Sequence, residues 1–173
     1  VFYYEEYLQN DLSDIQIAQQ YAVFNRQSMA QTILKAMKWE KQVIESFDSP
    51  HNYIDLKHMI LRKGADSARK NEKMIVPLNM KDGSIIGVGK GNDEWNQSGP
   101  HGAGRTMSRS QARASIRLEN YQRMMRHVWT TSVSKKTLNE APKAYKSNKQ
   151  ILTDLHETME VKEIIRPLYN FKG

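Results

Sequence analysis

The spacing of apolar side chains divides the chain into a long helical stretch, a block of short strands and a mixed tail. Residues 14–46 carry apolar positions at helical spacing, with Ala18, Ala22, Met29, Ile33 and Met37 near one face and Ser13 or Asp14 available as the cap. Asn25 lies on that apolar line and Arg26 follows it, so the helix presents an amide and a guanidinium at its midpoint, or simply a polar pair at a core edge. Turn-forming residues from Phe47 to Asn52, with Pro50 among them, end the helix.

Beyond that turn the pattern shortens. Residues 53–61, 74–78 and 84–88 are runs rich in Ile, Val and Tyr that predict three strands, the last two joined by a hairpin at Lys81-Asp82-Gly83. Residues 89–107 hold five of the nine glycines without periodicity, which predicts a long functional loop. Ser108 and Gln111 form a capping-box pattern, and a helix is expected from there through Ala112, Ile116, Leu118 and Tyr121 to about Met125. A strand at 128–133, a short helix at 151–156 and a last strand at 161–171, interrupted by Pro167, complete the expectation. The order of elements predicts an α+β fold.

Composition narrows the classes. The 173 residues suffice for one domain without a disulfide, and the zero cysteine count excludes a thiolate metal site in this chain and suits a reducing, cytoplasmic setting. No apolar run approaches a membrane span, and no leader-like segment follows Val1. The net charge of +7, from 26 basic against 19 acidic residues, favours a polyanionic partner such as nucleic acid.

The glycine-rich run from Gly87 to Asn92 matches neither common phosphate fingerprint: a P-loop needs glycine where Ser84 stands, and a dinucleotide motif needs one at Asn92. His101-Gly102-Ala103-Gly104-Arg105 is more telling. Small neighbours let a substrate approach the imidazole, and Arg105 and Arg109 add donors for phosphate. His101 in that setting is open to acid or base work, metal ligation or nucleophilic attack on phosphorus. His51 and His58 have no metal-ligand spacing around them.

Several separated motifs together resemble the RtcB family of RNA-splicing ligases: Pro50-His51-Asn52-Tyr53, Arg62-Lys63-Gly64-Ala65, Ile75 to Met80, Gly89-Lys90-Gly91-Asn92, His101 to Arg105 and Met107-Ser108-Arg109. Glu140 to Lys146 and Arg166 to Lys172 are similar to the family's C-terminal segments, and Tyr21-Ala22 with Asn25-Arg26 resembles its long helix. The resemblance implies an RtcB-like mixed fold and a ligase that uses GTP and two manganese ions. Such an enzyme joins RNA bearing a 2′,3′-cyclic phosphate or 3′-phosphate to RNA bearing a 5′-hydroxyl, through a histidine–GMP intermediate.

Residue by residue, the resemblance makes His101 the guanylylated histidine and His51 a manganese ligand. Asn52, Ser84, Ala103, Gly104, Tyr145 and Lys172 match positions lining the guanylate pocket, with Tyr145 beside the guanine and Lys172 near the base edge. Asn79 belongs to the same set, but stands in Pro77-Leu78-Asn79-Met80 where archaeal members carry serine after glycine. Arg26 and Arg105 resemble arginines that hold phosphate or RNA. The family's other metal ligands, an aspartate, a cysteine and two histidines, lie in an N-terminal half not found here. Residues 1–173 therefore correspond to the C-terminal part of one catalytic domain, whose expected partners are RNA, GTP and that N-terminal half, with no membrane. The alternative is an RNA-binding fragment or subunit without chemistry of its own.

Overall fold

The computed structural model of the chain describes residues 5–171, so Lys172 lies outside the described residues. Their contacts form two compact units: residues 5–48 with 52–63, and residues 49–51 with 64–171.

The first unit holds helix α1 (Glu5–Met37) and a hairpin of β1 (Asn52–Asp55) and β2 (Ile60–Lys63). The helix ends nine residues before the expected 46. Lys38 takes a left-handed conformation (φ 57°), its N–H donates to Lys35 O at 3.1 Å, and Trp39 N–H reaches back to Leu34 O at 2.9 Å. Those two bonds make a Schellman cap. Glycine usually marks such a cap, and lysine here hides it. Gln19 ties the helix to β1, its amide donating to Ile54 O at 3.1 Å and accepting from Ile54 N–H at 2.6 Å. The apolar line of the helix is not buried as its periodicity suggests: Met29 and Ile33 are more than half exposed, as are Ile17, Tyr21 and Phe24.

The expected strand 53–61 is a hairpin instead, turned at Met59 (φ 52°) and fastened by the Asp55 carboxylate, which accepts from the backbone N–H and Nδ1 of His58. Arg62 is buried in this unit at 2% exposure, with its guanidinium over the Tyr53 ring and donating to the Tyr53 hydroxyl and to Asp55.

The second unit is built on an antiparallel sheet of β4 (Lys73–Asn79), β5 (Gly83–Gly89) and β7 (Met159–Ile165), in the order β4-β5-β7. The β4–β5 hairpin is the expected one. Its turn is held by Asn79, whose Oδ1 accepts from Lys81 and Asp82 N–H at 3.0 Å while its amide donates to Asp82. Alternation along β4 points Met74, Val76 and Leu78 into a core with Ile85, Ile151, Leu155 and Met159. A second core gathers Met80, Ala112, Ile116, Tyr121, Met125, Ala141 and Ala144.

Beside these lies a short antiparallel pair, β3 (Ala65–Ser67) with β6 (Ser98–Pro100). The helix expected to run from Ser108 to Met125 is two, α2 (Arg109–Ser115) and α3 (Leu118–Met125), because Ile116 leaves helical geometry to enter the second core. Its capping box at Ser108 and Gln111 is present in both directions. No strand occupies 128–133. Only Trp129 bridges there, to Tyr169. The short helix α4 covers Asn148–Asp154, and β7 stops at Ile165, two residues before Pro167, rather than running to 171.

Candidate active site

Three segments of the second unit meet around two imidazoles. Gly64, with φ +68°, brings the chain into β3. There Gly64 and Ala65 N–H both donate to His51 O, at 2.7 and 3.2 Å. The pairing of Ala65 with Pro100 and of Asp66 with Gly99 then delivers His101 beside the same segment. The His51 and His101 rings stack, with centroids 4.8 Å apart and planes 14° from parallel.

The contact that defines His101 is at Nδ1, 2.5 Å from the Gly64 carbonyl oxygen. A carbonyl only accepts, so Nδ1 carries the proton and donates it. In the neutral ring the lone pair then sits on Nε2. A side chain at Gly64 would crowd the ring: a Cβ there would lie 3.3 Å from His101 Cε1, on a backbone that disfavours side chains.

The following loop is fastened by Ala103 N–H to Pro77 O at 3.0 Å, and then pairs with 144–146 through Thr106 N–H to Ala144 O and Lys146 N–H to Gly104 O. Arg105 turns its fork inward: Nε to Met107 O at 3.1 Å, Nη1 to the Tyr145 hydroxyl at 3.0 Å and Nη2 to Asn139 O at 2.5 Å, its guanidinium lying 4.8 Å from the Tyr145 ring centre. The Tyr145 hydroxyl in turn donates to Glu140 at 2.7 Å. Burial, and then the hydrogen bond and charge of Glu140, push the Tyr145 phenol up to about 12. This cluster builds the wall of a cavity of about 690 Å³, within the range of small-ligand sites.

Of the residues singled out in the sequence, His51, Asn79, His101, Ala103, Gly104, Arg105 and Tyr145 line that cavity together, and Arg109 joins them from α2. Most of Arg105's donors serve its own chain, and the Asn79 side chain is engaged in the hairpin turn. Ser84 is not among the lining residues; it pairs with Pro77 and Ile165 in the sheet. Asn52 and Arg26 belong to the other unit, Asn52 opposite Lys63 in the hairpin and Arg26 in an exposed ion pair with Asp48 at 2.5 Å. Among the described residues no three His, Cys, Asp or Glu side chains are grouped to hold a metal ion, so His51 alone does not make a manganese site.

Sequence reasoning missed Glu140, which lies in a noted motif without a role, and Asp66, for which no local signal exists. Asp66 is 2% exposed; its Oδ2 accepts from Ser49 Oγ at 2.8 Å and its Oδ1 is buried without a partner. Burial raises its carboxyl from 3.8 to about 6, against the Ser49 hydrogen bond and the nearby His101, which both lower it. The folded chain thus holds this proton more tightly than the unfolded chain. The stability it contributes is fully present below about pH 4 and lost as pH rises through about 6, a change on the order of 3 kcal/mol. Asp66→Asn should remove that part of the slope and gain on the wild type above about pH 6. Urea midpoints of the two proteins across this range would check it, and parallel profiles would contradict it.

The family model described as tRNA-splicing ligase RtcB matches residues 3–173. The chain belongs to the RtcB family. The RNA-splicing ligase RtcB of Escherichia coli strain K12 is 30% identical over 183 aligned positions, which cover 97% of this chain and 45% of that protein. RNA-splicing ligase RtcB1 of another Escherichia coli strain is 32% identical with the same shares covered. The chain thus spans a little under half the length of these RtcB relatives. Its α+β architecture, with a long first helix, short antiparallel strands and further helices, accords with an RtcB-like fold. No helix among the described residues is long and apolar enough to cross a membrane.

Proposed function

We propose that this chain carries the guanylate-transfer centre of a GTP- and manganese-dependent RNA ligase, with His101 as its nucleophile. The observation that carries the reading is the Gly64 carbonyl on Nδ1 of His101, which leaves the Nε2 lone pair for phosphorus. Nε2 attacks the α-phosphorus of GTP, an N–P bond forms, and the bond to pyrophosphate breaks with its electron pair leaving on oxygen. Positive charge that develops on the ring is met at Nδ1–H by the Gly64 carbonyl, already in position. A 3′-phosphate of RNA, itself obtained by hydrolysis where the end is a 2′,3′-cyclic phosphate, then takes GMP from the histidine. The 5′-hydroxyl of a second RNA finally displaces GMP, and the strands are joined.

The cavity is of a size for a mononucleotide, and Tyr145, Ala103, Gly104 and Asn79 along its wall support a guanylate there. On resemblance alone, Lys172 is proposed at the base edge, Ser84 and Asn52 in the guanylate pocket, and Arg26 and Arg105 at phosphate or RNA. Manganese, when bound, supplies positive charge for the phosphoryl oxygens and the leaving pyrophosphate. His51 is the proposed ligand from this chain, and the N-terminal half of the fold would furnish the rest. The net charge of +7 favours a second reading of these 173 residues taken alone, as an RNA-binding piece whose affinity falls steeply with salt.

The test is to offer labelled GTP or ATP to the complete protein with manganese. GTP should give an acid-labile, alkali-stable protein adduct, and ATP should label on the order of a hundred-fold less, since a pocket that hydrogen-bonds one purine leaves polar groups unpaired with the other. Equal labelling by both nucleotides would argue against a guanylate site.

A further inference from the structure

Asp66 is a poor choice for the place it occupies. It stands in a short strand at 2% exposure, Oδ1 has no hydrogen-bond partner, and only Ser49 answers Oδ2. A buried acceptor left unmade costs stability, and a residue kept at such a cost commonly serves the site beside it. What it holds is specific. Ser49 lies two residues before His51, Asp66 two after Gly64, and Asp66 pairs with Gly99, two residues before His101. The turn 49–51 is stitched to 64–66 by Gly64 and Ala65 N–H on His51 O and by this one side-chain bond. Backbone bonds fix where His51 begins, while the bond at Ser49 fixes how the turn approaches it.

We propose that Asp66 is a positioning residue for the His51–His101 pair, clamping Ser49 so that the His51 ring is held in register with the nucleophilic histidine. This rests on the reading of His101 as the guanylylated residue, and it adds a role that neither the cavity lining nor the motifs suggest. Asp66 touches no reacting atom. Its effect passes through Ser49 to His51 and through the shared strand to His101.

The complete protein, labelled at histidine for NMR, gives a readout that does not depend on activity. In Asp66→Leu and in Ser49→Ala the ring signals of His51 and His101 should shift or broaden, while those of His58, His127 and His156 stay in place. Asp66→Asn keeps an oxygen acceptor for Ser49 and should restore the wild-type ring signals. With labelled GTP, Asp66→Leu should slow adduct formation at saturating nucleotide by on the order of ten- to a hundred-fold, with the GTP concentration for half-maximal rate unchanged, because a misplaced nucleophile alters the step and not the binding. Asp66→Asn should recover most of that rate. Unmoved His51 and His101 signals in Asp66→Leu would overturn the proposal, as would Asp66→Asn behaving like Asp66→Leu. A shift of all five histidines of residues 1–173 would reduce Asp66 to a general packing role and overturn it as well. If the wild type takes no label from GTP, the reading of His101 fails, and the ring signals still decide whether Asp66 sets the pair.

Discussion

Substitution of His101 by alanine is expected to abolish both the adduct with GTP and the joining of RNA ends, by at least on the order of a thousand-fold. The loss should be of this size because the substitution removes the attacking atom and not merely a binding contact. The ring's only described hydrogen bond is to the Gly64 carbonyl, and its one described ring contact is with His51. Its removal should therefore leave the fold intact, since His101 is an exposed residue outside both hydrophobic cores. Circular dichroism and the unfolding midpoint should match the wild type while labelling disappears. An adduct that persists in His101→Ala would mean that another side chain carries the guanylate.

Gly64→Val should come nearly as close to silencing the site by a different route. At φ +68° a branched side chain is strained, by about 1–2 kcal/mol or more, and its Cβ would press on the ring whose Nδ1 the same residue accepts. The strain and the crowding act on one hydrogen bond, so the imidazole loses both its orientation and its fixed tautomer. Labelling should fall by on the order of a hundred-fold or more. The N–H groups of residues 64 and 65 also hold His51, so the stacked pair should separate as well. Gly64→Ala, with less bulk, should fall between the two proteins. If Gly64→Val labels at the wild-type rate, the carbonyl has no part in presenting His101.

The contrast between these two positions shows what a single sequence carries. His101 announces itself through its neighbours, and the β4–β5 hairpin and the Ser108 capping box are likewise written in adjacent residues. Features that depend on distant partners, or on a residue type that usually signals something else, are hidden. The end of α1 depends on Lys38 taking a conformation that usually signals glycine, and the break at Ile116 depends on a core assembled from residues as distant as Met80 and Ala144. Asp66 looks like any strand-edge carboxylate until Ser49, 17 residues away, is seen to hold it. The inward turn of Arg105 depends on partners 34 and 40 residues on, which no local signal announces.

The hydrogen bond between His101 and Gly64 makes one demand that no other arrangement of the site shares: phosphorus must bond to Nε2. Complete protein labelled with GTP and manganese, denatured in alkali and digested, yields a guanylylated peptide whose linkage is readable by tandem mass spectrometry and by proton–phosphorus correlation NMR. The expected product is a single phosphoramidate on Nε2 of His101. Linkage through Nδ1, or attachment to His51 or to any lysine, would contradict the assignment of His101 as the oriented nucleophile.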